Sequence, residues 1–467
     1  MYVVVHLDLK GAPPKLKYLE SLLPVFREYG VNGLLMEYED MFPYKGLFVL
    51  IDLTTAAFLL QLKKFLRKSV RWGIEIIPLV QTFGHMEHAL KLQEFRNLRE
   101  SPNFPDSICP SKAGSIRLIK EMLTQVIKFH KRIIPLKHFH IGFDEVYHIN
   151  TCNRCLLTNV FFRNLFYNHI HVVDTIIQRL SPHTKILFWG DMLKGNDSLQ
   201  PSPVDITNFE PVYWNYRATL KPVTHESFLN YHKKFKNIWI ASAFKGAEGR
   251  TATLPNLKNR FMNHVGWLNF TLNHTYGEEN RVYNFTGIIL TGWSRYSHME
   301  PLCELLPAAL PSVLMNEVET LDSKDFFSKY ILDKFIQRFN YDKFYNDLNL
   351  YDKTNHNIRD GFSNNDSALV SIRYYSEIGH INMITAKSST DWCKTNLKKI
   401  SHFKANFTKV MSEYYEKDVV EEYIIYKTFD NEIILEDTLG ILKAYLPTRT
   451  WERRPKLTAT DVYKTAS

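Results

Sequence analysis

Short apolar runs alternate with longer stretches of helical periodicity over roughly the first 300 residues of this 467-residue chain. Eight runs have the length and composition of buried strands, namely residues 3–9, 33–37, 74–80, 138–143, 185–189, 206–209, 238–242 and 287–290. Helix-period stretches such as residues 16–26 and 58–70 separate them. Eight strands each followed by a helix predict an α/β protein with a (β/α)₈ TIM barrel. An open doubly wound sheet is the main competitor, but the first strand lacks the Gly-rich phosphate loop that usually accompanies it.

The pattern changes after the predicted barrel. Residues 327–339 have helical periodicity, residues 351–367 resemble a polar linker or loop, and long helix-period segments cover residues 368–446. The last residues, 447–467, are polar. We therefore predict a catalytic barrel over residues 1–318 and an α-helical C-terminal region with a polar tail over residues 319–467. No catalytic signature is found after the barrel.

Composition narrows the class of partner and the expected location. With 45% hydrophobic and 23% charged residues, the chain is typical of a soluble globular protein. The formal charge of +9 is spread over short basic pieces such as Lys63-Lys64, so neither a nucleic acid nor a membrane is predicted as a partner, and a homodimer is left open. Since a strand is predicted from residue 3 onward, we expect no signal peptide and a cytoplasmic or nuclear protein. Six Asn-x-Ser/Thr triplets are discounted, because they arise by chance in an Asn-rich sequence.

Polar and aromatic residues recur just past the predicted strands. Active sites of (β/α)₈ barrels lie at these carboxyl ends, on the loops that lead into the helices. The residues are Lys10, Glu37, Asp40, Gln81, Thr82, His85, Asp144, Glu145, Trp189, Asp191, Glu210, Tyr213, Trp214, Tyr216, Lys245, Trp293, Arg295, Tyr296 and His298. Their recurrence at the same end of every strand predicts one shared pocket.

The pair Asp144-Glu145 follows the fourth predicted strand. Neighbouring side chains on a regular strand point to opposite faces, so both carboxylates reach one pocket only if the strand ends or bulges there. Two carboxyl groups crowded beside an apolar wall acquire different pKa values, which is the arrangement that acid/base catalysis needs. The alternative is a solvated turn that caps a helix. The polar residues at the other strand ends favour the pocket.

The five cysteines are too few for a disulfide scaffold. Cys152 and Cys155 form a Cys-x-x-Cys just beyond the acidic pair, and no second pair completes a zinc site. A loop disulfide, half of a metal site, and chance or a local structural role all remain open, and the last is favoured. No metal and no cofactor are predicted for the reaction.

Six stretches of the predicted barrel resemble glycoside hydrolase family 20, the β-N-acetylhexosaminidases. They are residues 6–14 (HLDLKGAPP), 33–44 (GLLMEYEDMFPY), 78–85 (PLVQTFGH), 140–147 (HIGFDEVY), 241–246 (ASAFKG) and 287–296 (GIILTGWSRY). The resemblance is dense over the barrel and weak over the helical region. It implies exo-acting hydrolysis of terminal non-reducing β-linked N-acetylhexosamine, with N-acetylgalactosamine preferred over N-acetylglucosamine, from an oligosaccharide or glycoconjugate.

The resemblance also implies a mechanism and roles for particular residues. In this family the 2-acetamido oxygen of the substrate is the nucleophile. Glu145 would act as general acid and then as general base, and Asp144 would orient the acetamido group and stabilise the oxazolinium-like intermediate. The implied substrate-binding residues are Tyr216 on the acetamido oxygen, Trp189 and Trp293 as pocket walls, and His85, Asp191 and Tyr296 as hydroxyl or orienting contacts.

Two positions depart from the family pattern. The family carries an arginine on its first strand, where this chain has Lys10 nearby and Gly11 in the nearer register. Lysine cannot reproduce the bidentate fork of arginine, so the sugar hydroxyls must be contacted differently. Arg295 stands where the family has a glutamate two residues after the last-strand tryptophan. Both departures concern hydroxyl recognition and leave the catalytic pair intact.

Three other readings compete. A conventional retaining glycosidase would pair Glu145 with a nucleophile such as Glu37 or Asp191, with the two carboxyl groups about 5 Å apart. A metal-dependent TIM-barrel hydrolase would instead bind an ion through four side chains, namely those of His6, Asp8, His85 and Asp144. A glycan-binding barrel without activity is the third, and the intact acidic pair argues against it.

Overall fold

The computed structural model describes residues 1–46, 56–157, 162–193, 205–206, 209–232, 234–275, 283–313, 341–363, 369–370, 372 and 381–447. Contacts between residues divide the chain into two units, Met1–Phe339 and Asn340–Ser467. The predicted boundary between residues 318 and 319 lies outside the described residues.

The first unit is a closed barrel. Its described strands are β1 (Tyr2–Asp8), β2 (Gly33–Glu37), β3 (Glu75–Leu79), β4 (Arg99–Ser101), β5 (Phe104–Ile108), β6 (His138–His140), β7 (Lys185–Trp189), β8 (Phe209–Trp214), β9 (Ile238–Lys245) and β10 (Phe285–Gly292). Eight of them pair in parallel in the closed order β1-β10-β9-β8-β7-β6-β3-β2, and β4 and β5 form a separate antiparallel pair. The predicted (β/α)₈ barrel is confirmed.

Helices surround the strands. They are α1 (Leu16–Glu28), α2 (Ala56–Arg71), α3 (Glu87–Leu90), α4 (Ala113–Lys131), α5 (Asn153–Leu157), α6 (Phe162–Leu180), α7 (His225–His232), α8 (Leu257–Thr275) and α9 (Leu306–Val313). The buried face of α1 includes Leu16, Leu19, Leu23 and Phe26, whose spacing of three and four residues matches the helical period, and α1 continues through Pro24. Among the described residues, no helix combines the length and apolar character needed to cross a membrane.

The strands separate two apolar cores. Alternate side chains of a strand point to opposite faces, so Val4 joins the cluster inside the barrel while Val5 joins the larger cluster between strands and helices. His6, the next residue facing inward, is fully buried and hydrogen-bonds Glu37. The interior therefore changes from apolar to polar towards the carboxyl ends of the strands, where a site is expected.

Two local predictions were wrong, and one element was missed. The strand predicted over residues 138–143 ends at His140, because the next residues leave extended geometry. The sixth barrel strand runs from Phe209 to Trp214, so Glu210, Tyr213 and Trp214 belong to the strand and do not follow it. The β4–β5 hairpin was not predicted, because its residues show no clear strand periodicity.

The second unit is helical. Its described helices include α10 (Tyr341–Ser363), α11 (Met383–Met411) and α12 (Lys417–Tyr445), and α11 contacts both of the others. The linker predicted over residues 351–367 is wrong as far as Ser363, and residues 364–367 lie outside the described part. Tyr351, Thr354 and Ile358 are buried at helical spacing, so a mostly polar surface concealed a narrow buried stripe.

Candidate active site

The backbone after β6 brings two adjacent carboxylates to one place. Gly142, Phe143 and Glu145 have φ angles of 74°, 77° and 47°, in the left-handed region that side chains other than glycine rarely adopt. At Gly142 a Cβ atom would lie 1.8 Å from Gln81 Oε1, so only glycine fits there. This irregular end of the strand meets the geometric requirement of the sequence pattern, because Asp144 and Glu145 both line the same cavity.

That cavity lies at the carboxyl ends of the barrel strands and has a volume of about 1200 Å³. Such a volume suits a small organic ligand, and polar groups and aromatic rings converge on it. Six of the eight predicted site residues line it: His85, Asp144, Glu145, Tyr216, Trp293 and Tyr296. The other two, Trp189 and Asp191, lie behind this lining.

The two carboxylates differ in exposure. The side chain of Asp144 is 8% exposed, while that of Glu145 is 36% exposed. Asp144 Oδ1 accepts a hydrogen bond of 3.2 Å from Gln81 Nε2. Burial raises the pKa of Asp144 to about 7, and the nearby carboxylates contribute to the rise while His85 opposes it. Glu145 faces the open cavity, and Asp144 is recessed below it.

His85 places a positive charge between the two carboxylates. Its Nε2 lies 3.2 Å from Glu145 Oε2 and 3.6 Å from Asp144 Oδ2. Burial alone would lower the pKa of His85, but Asp144, Glu145 and Glu87 outweigh burial and raise it to about 10. The imidazole is therefore cationic at neutral pH, and it partly neutralises the carboxylates that crowd the site.

Asp191 fixes its neighbours from outside the cavity. Its Oδ2 accepts a hydrogen bond of 2.9 Å from the backbone N–H of Glu145, and its Oδ1 accepts one of 3.1 Å from Trp214 Nε1. One carboxylate thus holds both the strained backbone of Glu145 and the indole plane of Trp214.

Aromatic rings form the wall of the cavity. Trp214 and Tyr216 stack with ring centroids 5.2 Å apart, and Trp293 Nε1 donates a hydrogen bond of 3.4 Å to the Tyr216 hydroxyl. Trp189 is fully buried in the inner core, with its ring 5.7 Å from that of Trp293, which it supports from behind. Trp214 lines the cavity and was not among the predicted binding residues. Its place two residues before Tyr216, on the same side of an extended strand end, was the available signal.

The two departures from the family pattern both line the cavity. Lys10 Nζ lies 5.6 Å from the centre of the Trp293 ring, and 3.7 Å and 3.6 Å from carboxylate oxygens of Asp8 and Glu39. Arg295 Nε donates to the backbone carbonyl of Lys10 at 3.2 Å. Two cationic side chains thus occupy this part of the wall. Further along, the Tyr296 hydroxyl accepts a hydrogen bond of 3.2 Å from the backbone N–H of Gly249.

The hairpin that sequence reasoning missed also lines the cavity. Phe104 stacks on His148 with ring centroids 4.3 Å apart, and His148 Nδ1 lies 2.8 Å from Asp106 Oδ2. Both Phe104 and Asp106 come from the hairpin, while His148 follows Glu145 on the β6 loop. No local pattern in the sequence announces this contact between two loops.

Residues that a conventional retaining glycosidase or a metal-dependent hydrolase would use are hydrogen-bonded to other groups of the barrel. Glu37 is fully buried, 2.9 Å from His6 Nε2, and accepts a hydrogen bond of 3.1 Å from Gln81. Asp8 accepts hydrogen bonds from the backbone N–H groups of Lys10 and Ser294. Among the described residues, two groups each contain potential metal-ligand atoms that all lie within 4.8 Å of one another, and neither group is the set that a metal-dependent hydrolase would require. They are Glu100, Cys109, Cys152 and Cys155, and Glu39, His88 and His298.

Comparison with known proteins places the chain. No family model matches it. Over 318 residues, 66% of this chain, it is 40% identical to the Homo sapiens protein hexosaminidase D and covers 63% of that protein's length. It is 39% identical to hexosaminidase D of Bos taurus, of which it covers 89%. The chain belongs to the hexosaminidase D family.

Solved structures of other proteins share the fold of this member of the hexosaminidase D family. The chitobiase of Flavobacterium johnsoniae has a TM-score of 0.53 at 11% identity, covering 96% of this chain and 71% of that chain. The β-N-acetylhexosaminidase of Bacteroides fragilis has a TM-score of 0.51 at 14% identity, covering 73% of this chain and 70% of that chain. At such identities the likeness concerns the fold alone. The family resemblance seen in the sequence is confirmed.

Proposed function

We propose that this member of the hexosaminidase D family hydrolyses terminal non-reducing β-linked N-acetylhexosamine by a substrate-assisted, retaining mechanism. The observation that carries the proposal is the unequal exposure of Asp144 and Glu145, 8% and 36%, within one cavity. Glu37 and Asp191, the other candidate nucleophiles, are engaged outside the cavity lining. The missing nucleophile is then supplied by the substrate, which suits an N-acetylated sugar.

Glu145 is the general acid and base in this proposal. Its exposed carboxyl donates a proton to the glycosidic oxygen as the acetamido oxygen bonds to C1 and the bond to the leaving group breaks. In the second half, Glu145 takes a proton from water, which adds to C1 and opens the cyclic intermediate. Two displacements at C1 restore the original β configuration. The charge of His85 and the hydrogen bond from the backbone of Glu145 to Asp191 position this carboxyl.

Asp144 serves the acetamido group. The recessed carboxylate accepts a hydrogen bond from the acetamido N–H and stabilises the positive charge that develops on the ring being formed. The Tyr216 hydroxyl donates to the acetamido oxygen, and Trp214 and Trp293 enclose the methyl group. With the cation of the intermediate beside it, Asp144 works as an anion although its resting pKa is about 7.

Hydroxyl recognition falls to the cationic part of the wall. Lys10, Arg295 and Tyr296 are available for the sugar hydroxyls, and Trp189 supports Trp293 from behind. The family resemblance leads us to propose that N-acetylgalactosamine is preferred over N-acetylglucosamine, two sugars that differ only in the orientation of the hydroxyl at C4. A glycoconjugate or oligosaccharide is the proposed natural substrate.

Matched aryl β-glycosides test the mechanism. Galactosides and glucosides are compared with their 2-acetamido counterparts, and a thiazoline analogue of the cyclic intermediate is added as inhibitor. We expect turnover of the 2-acetamido sugars alone, faster turnover of the galacto form, and tight binding of the thiazoline. Comparable turnover without the acetamido group, together with weak thiazoline binding, would instead establish a conventional two-carboxylate mechanism.

A further inference from the structure

Three cysteines and one glutamate meet beside the active site. Cys109 directly follows the β4–β5 hairpin, and Glu100 lies in β4. Cys152 directly precedes α5, and Cys155 lies in its first turn. Their ligand atoms all lie within 4.8 Å of one another. The Cys-x-x-Cys motif of the sequence is thus completed by two residues more than 40 positions away, as the separations of 43 and 55 residues show. We call these four residues the Cys₃Glu cluster.

The spacing of the cluster matches a tetrahedral ion. Zinc binds thiolate sulfur at about 2.3 Å and carboxylate oxygen at about 2.0 Å, so tetrahedral angles require roughly 3.8 Å between sulfurs and 3.5 Å between sulfur and oxygen. Cys109 Sγ lies 3.4 Å from Cys152 Sγ and 3.6 Å from Cys155 Sγ. Cys155 Sγ lies 3.4 Å from Glu100 Oε2. A disulfide needs about 2.05 Å, and a single disulfide would not explain two sulfurs equally near Cys109.

The donor atoms of the cluster suit a cation. Glu100 is fully buried, and its Oε1 accepts hydrogen bonds of 2.7 Å and 3.0 Å from the backbone N–H groups of Thr151 and Cys152. These bonds orient the carboxylate so that Oε2 faces the sulfurs. Among the described residues, no lysine, arginine or histidine forms an ion pair with Glu100. Glu100 therefore places a hydrogen-bonded carboxylate beside three thiols, a set of oxygen and sulfur donors that suits a divalent cation.

We propose that Glu100, Cys109, Cys152 and Cys155 bind one zinc ion as a structural site. Thiolate ligands select zinc over magnesium or calcium, and four protein ligands leave no open position for a reacting water. On binding, the cysteine thiols lose their protons to solvent and the thiolates bond to the metal.

The proposed ion joins two loops that build the cavity. Glu100 lies in the first strand of the hairpin that supplies Phe104 and Asp106, and Cys109 directly follows the second strand. Cys152 and Cys155 follow the loop that carries Glu145. The two loops already touch through Asp106 and His148. A zinc bridge behind this contact would keep the strained Glu145 loop from opening.

Metal analysis of the full chain tests the site. The protein is purified without chelator, incubated with Zn²⁺ and desalted. We expect about one zinc per chain by mass spectrometry of the metal, as a closed four-ligand site requires. Co²⁺ in place of zinc should give the intense visible bands of a tetrahedral thiolate site. Chelation should lower the thermal midpoint, and added Zn²⁺ should restore it.

Variants assign the ligands. Glu100→Gln keeps an oxygen acceptor for the two backbone amides, and Cys152→Ser keeps the volume. We expect each to weaken zinc binding by about 100-fold or more, since changes beyond the ligands already cost about 10–100-fold. Cys393→Ser, at a buried cysteine of the helical unit, is the matched control and should bind like the wild type.

Several outcomes would overturn the proposal. They are a wild-type chain that retains no zinc, zinc bound with unchanged affinity by Cys152→Ser, and a disulfide between Cys109 and Cys152 found by non-reducing peptide mapping. The cobalt spectrum of the wild type needs no variant, so a variant that fails to fold leaves the test intact.

Discussion

The barrel and the helical unit bury polar side chains of different kinds. In the barrel unit, the fully or nearly fully buried polar side chains include the charged or titratable residues His6, Asp8, Lys10, Glu37, Glu39, Asp40 and Asp144. In the helical unit, the described buried polar residues are all neutral: Thr354, Ser389, Thr390, Asn396, Thr428, Asn431 and Thr438. Thr390 and Thr428 donate to the carbonyl four residues earlier in their own helices, so burial leaves them paired locally.

The barrel residues are instead paired across strands. His6 reaches Glu37 on the neighbouring strand, and Gln81 joins Glu37 to Asp144. Burying charge costs stability unless other groups compensate, so a concentration of buried charge marks a place kept for chemistry. The described buried polar side chains of the helical unit are neutral, as packing between helices requires. Substitutions in the two units should therefore separate activity from stability.

The largest expected effect on activity comes from Glu145→Gln. The glutamine amide supplies no acidic proton and cannot act as a base. The kcat on an aryl N-acetyl-β-hexosaminide should therefore fall by about 10²–10⁴-fold. Binding of N-acetylhexosamine, followed by calorimetry, should change little. Glu94→Gln, at an exposed residue, is the control with wild-type turnover. Wild-type kcat in Glu145→Gln would remove this residue from the mechanism.

Asp144→Asn should have the next largest effect. Loss of the anion beside the developing positive charge should lower kcat on 2-acetamido substrates by about 10²–10³-fold, the range seen when one preorganised electrostatic group is removed. Asp391→Asn, at an exposed position of α11, is the control. The assignment fails if any residual turnover of substrates that lack the acetamido group falls by the same factor.

His85→Gln should change how stability depends on pH. The folded chain raises the pKa of His85 from 6.5 to about 10, so the cation contributes stability fully below pH 6.5, and this is lost as the pH rises through 10. The thermal midpoint of the variant should lie below that of the wild type at pH 6.5, and the gap should narrow towards pH 10. His402→Gln, exposed on α11, should follow the wild type throughout. A gap that widens with pH would contradict the assigned charge.

Leu435→Ala should have the smallest effect on activity. Leu435 is fully buried in the core of the helical unit, so its truncation should cost about 2–5 kcal/mol of stability in denaturant unfolding. With the chain still folded, kcat/KM should equal that of the wild type. Leu350→Ala, at a residue 52% exposed, should cost much less stability. A large loss of kcat/KM in Leu435→Ala would show that the comparison between the units is too simple.

Local patterns were enough to predict the barrel and a pocket at the carboxyl ends of its strands. Strand periodicity and the position just past each strand predicted a shared pocket for His85, Asp144, Glu145 and Tyr216, and these four residues line one cavity, because the fold brings all such positions to one end. Local patterns did not predict the direction of a side chain that depends on strand register, or a contact with a residue far away in the sequence. Trp189 and Trp214 both end strands, yet one faces the core and the other the cavity.

Long-range contacts were likewise invisible in the sequence. Nothing near Cys152 indicates Cys109 or Glu100, because a hairpin of irregular sequence delivers both. The helical stripe of Tyr351, Thr354 and Ile358 was missed for a related reason, since three buried residues among many polar ones carry a weak periodic signal.

Gln81 prevents direct proton transfer between two buried carboxyl groups. Its amide donates to both Glu37 and Asp144, at 3.1 Å and 3.2 Å. A carboxamide transmits polarisation but has no proton to give up at ordinary pH. Gln81 therefore cannot relay a proton from Glu37 to Asp144. In the proposed mechanism, the anionic form of Asp144 therefore does not depend on proton transfer from the buried Glu37 through this contact.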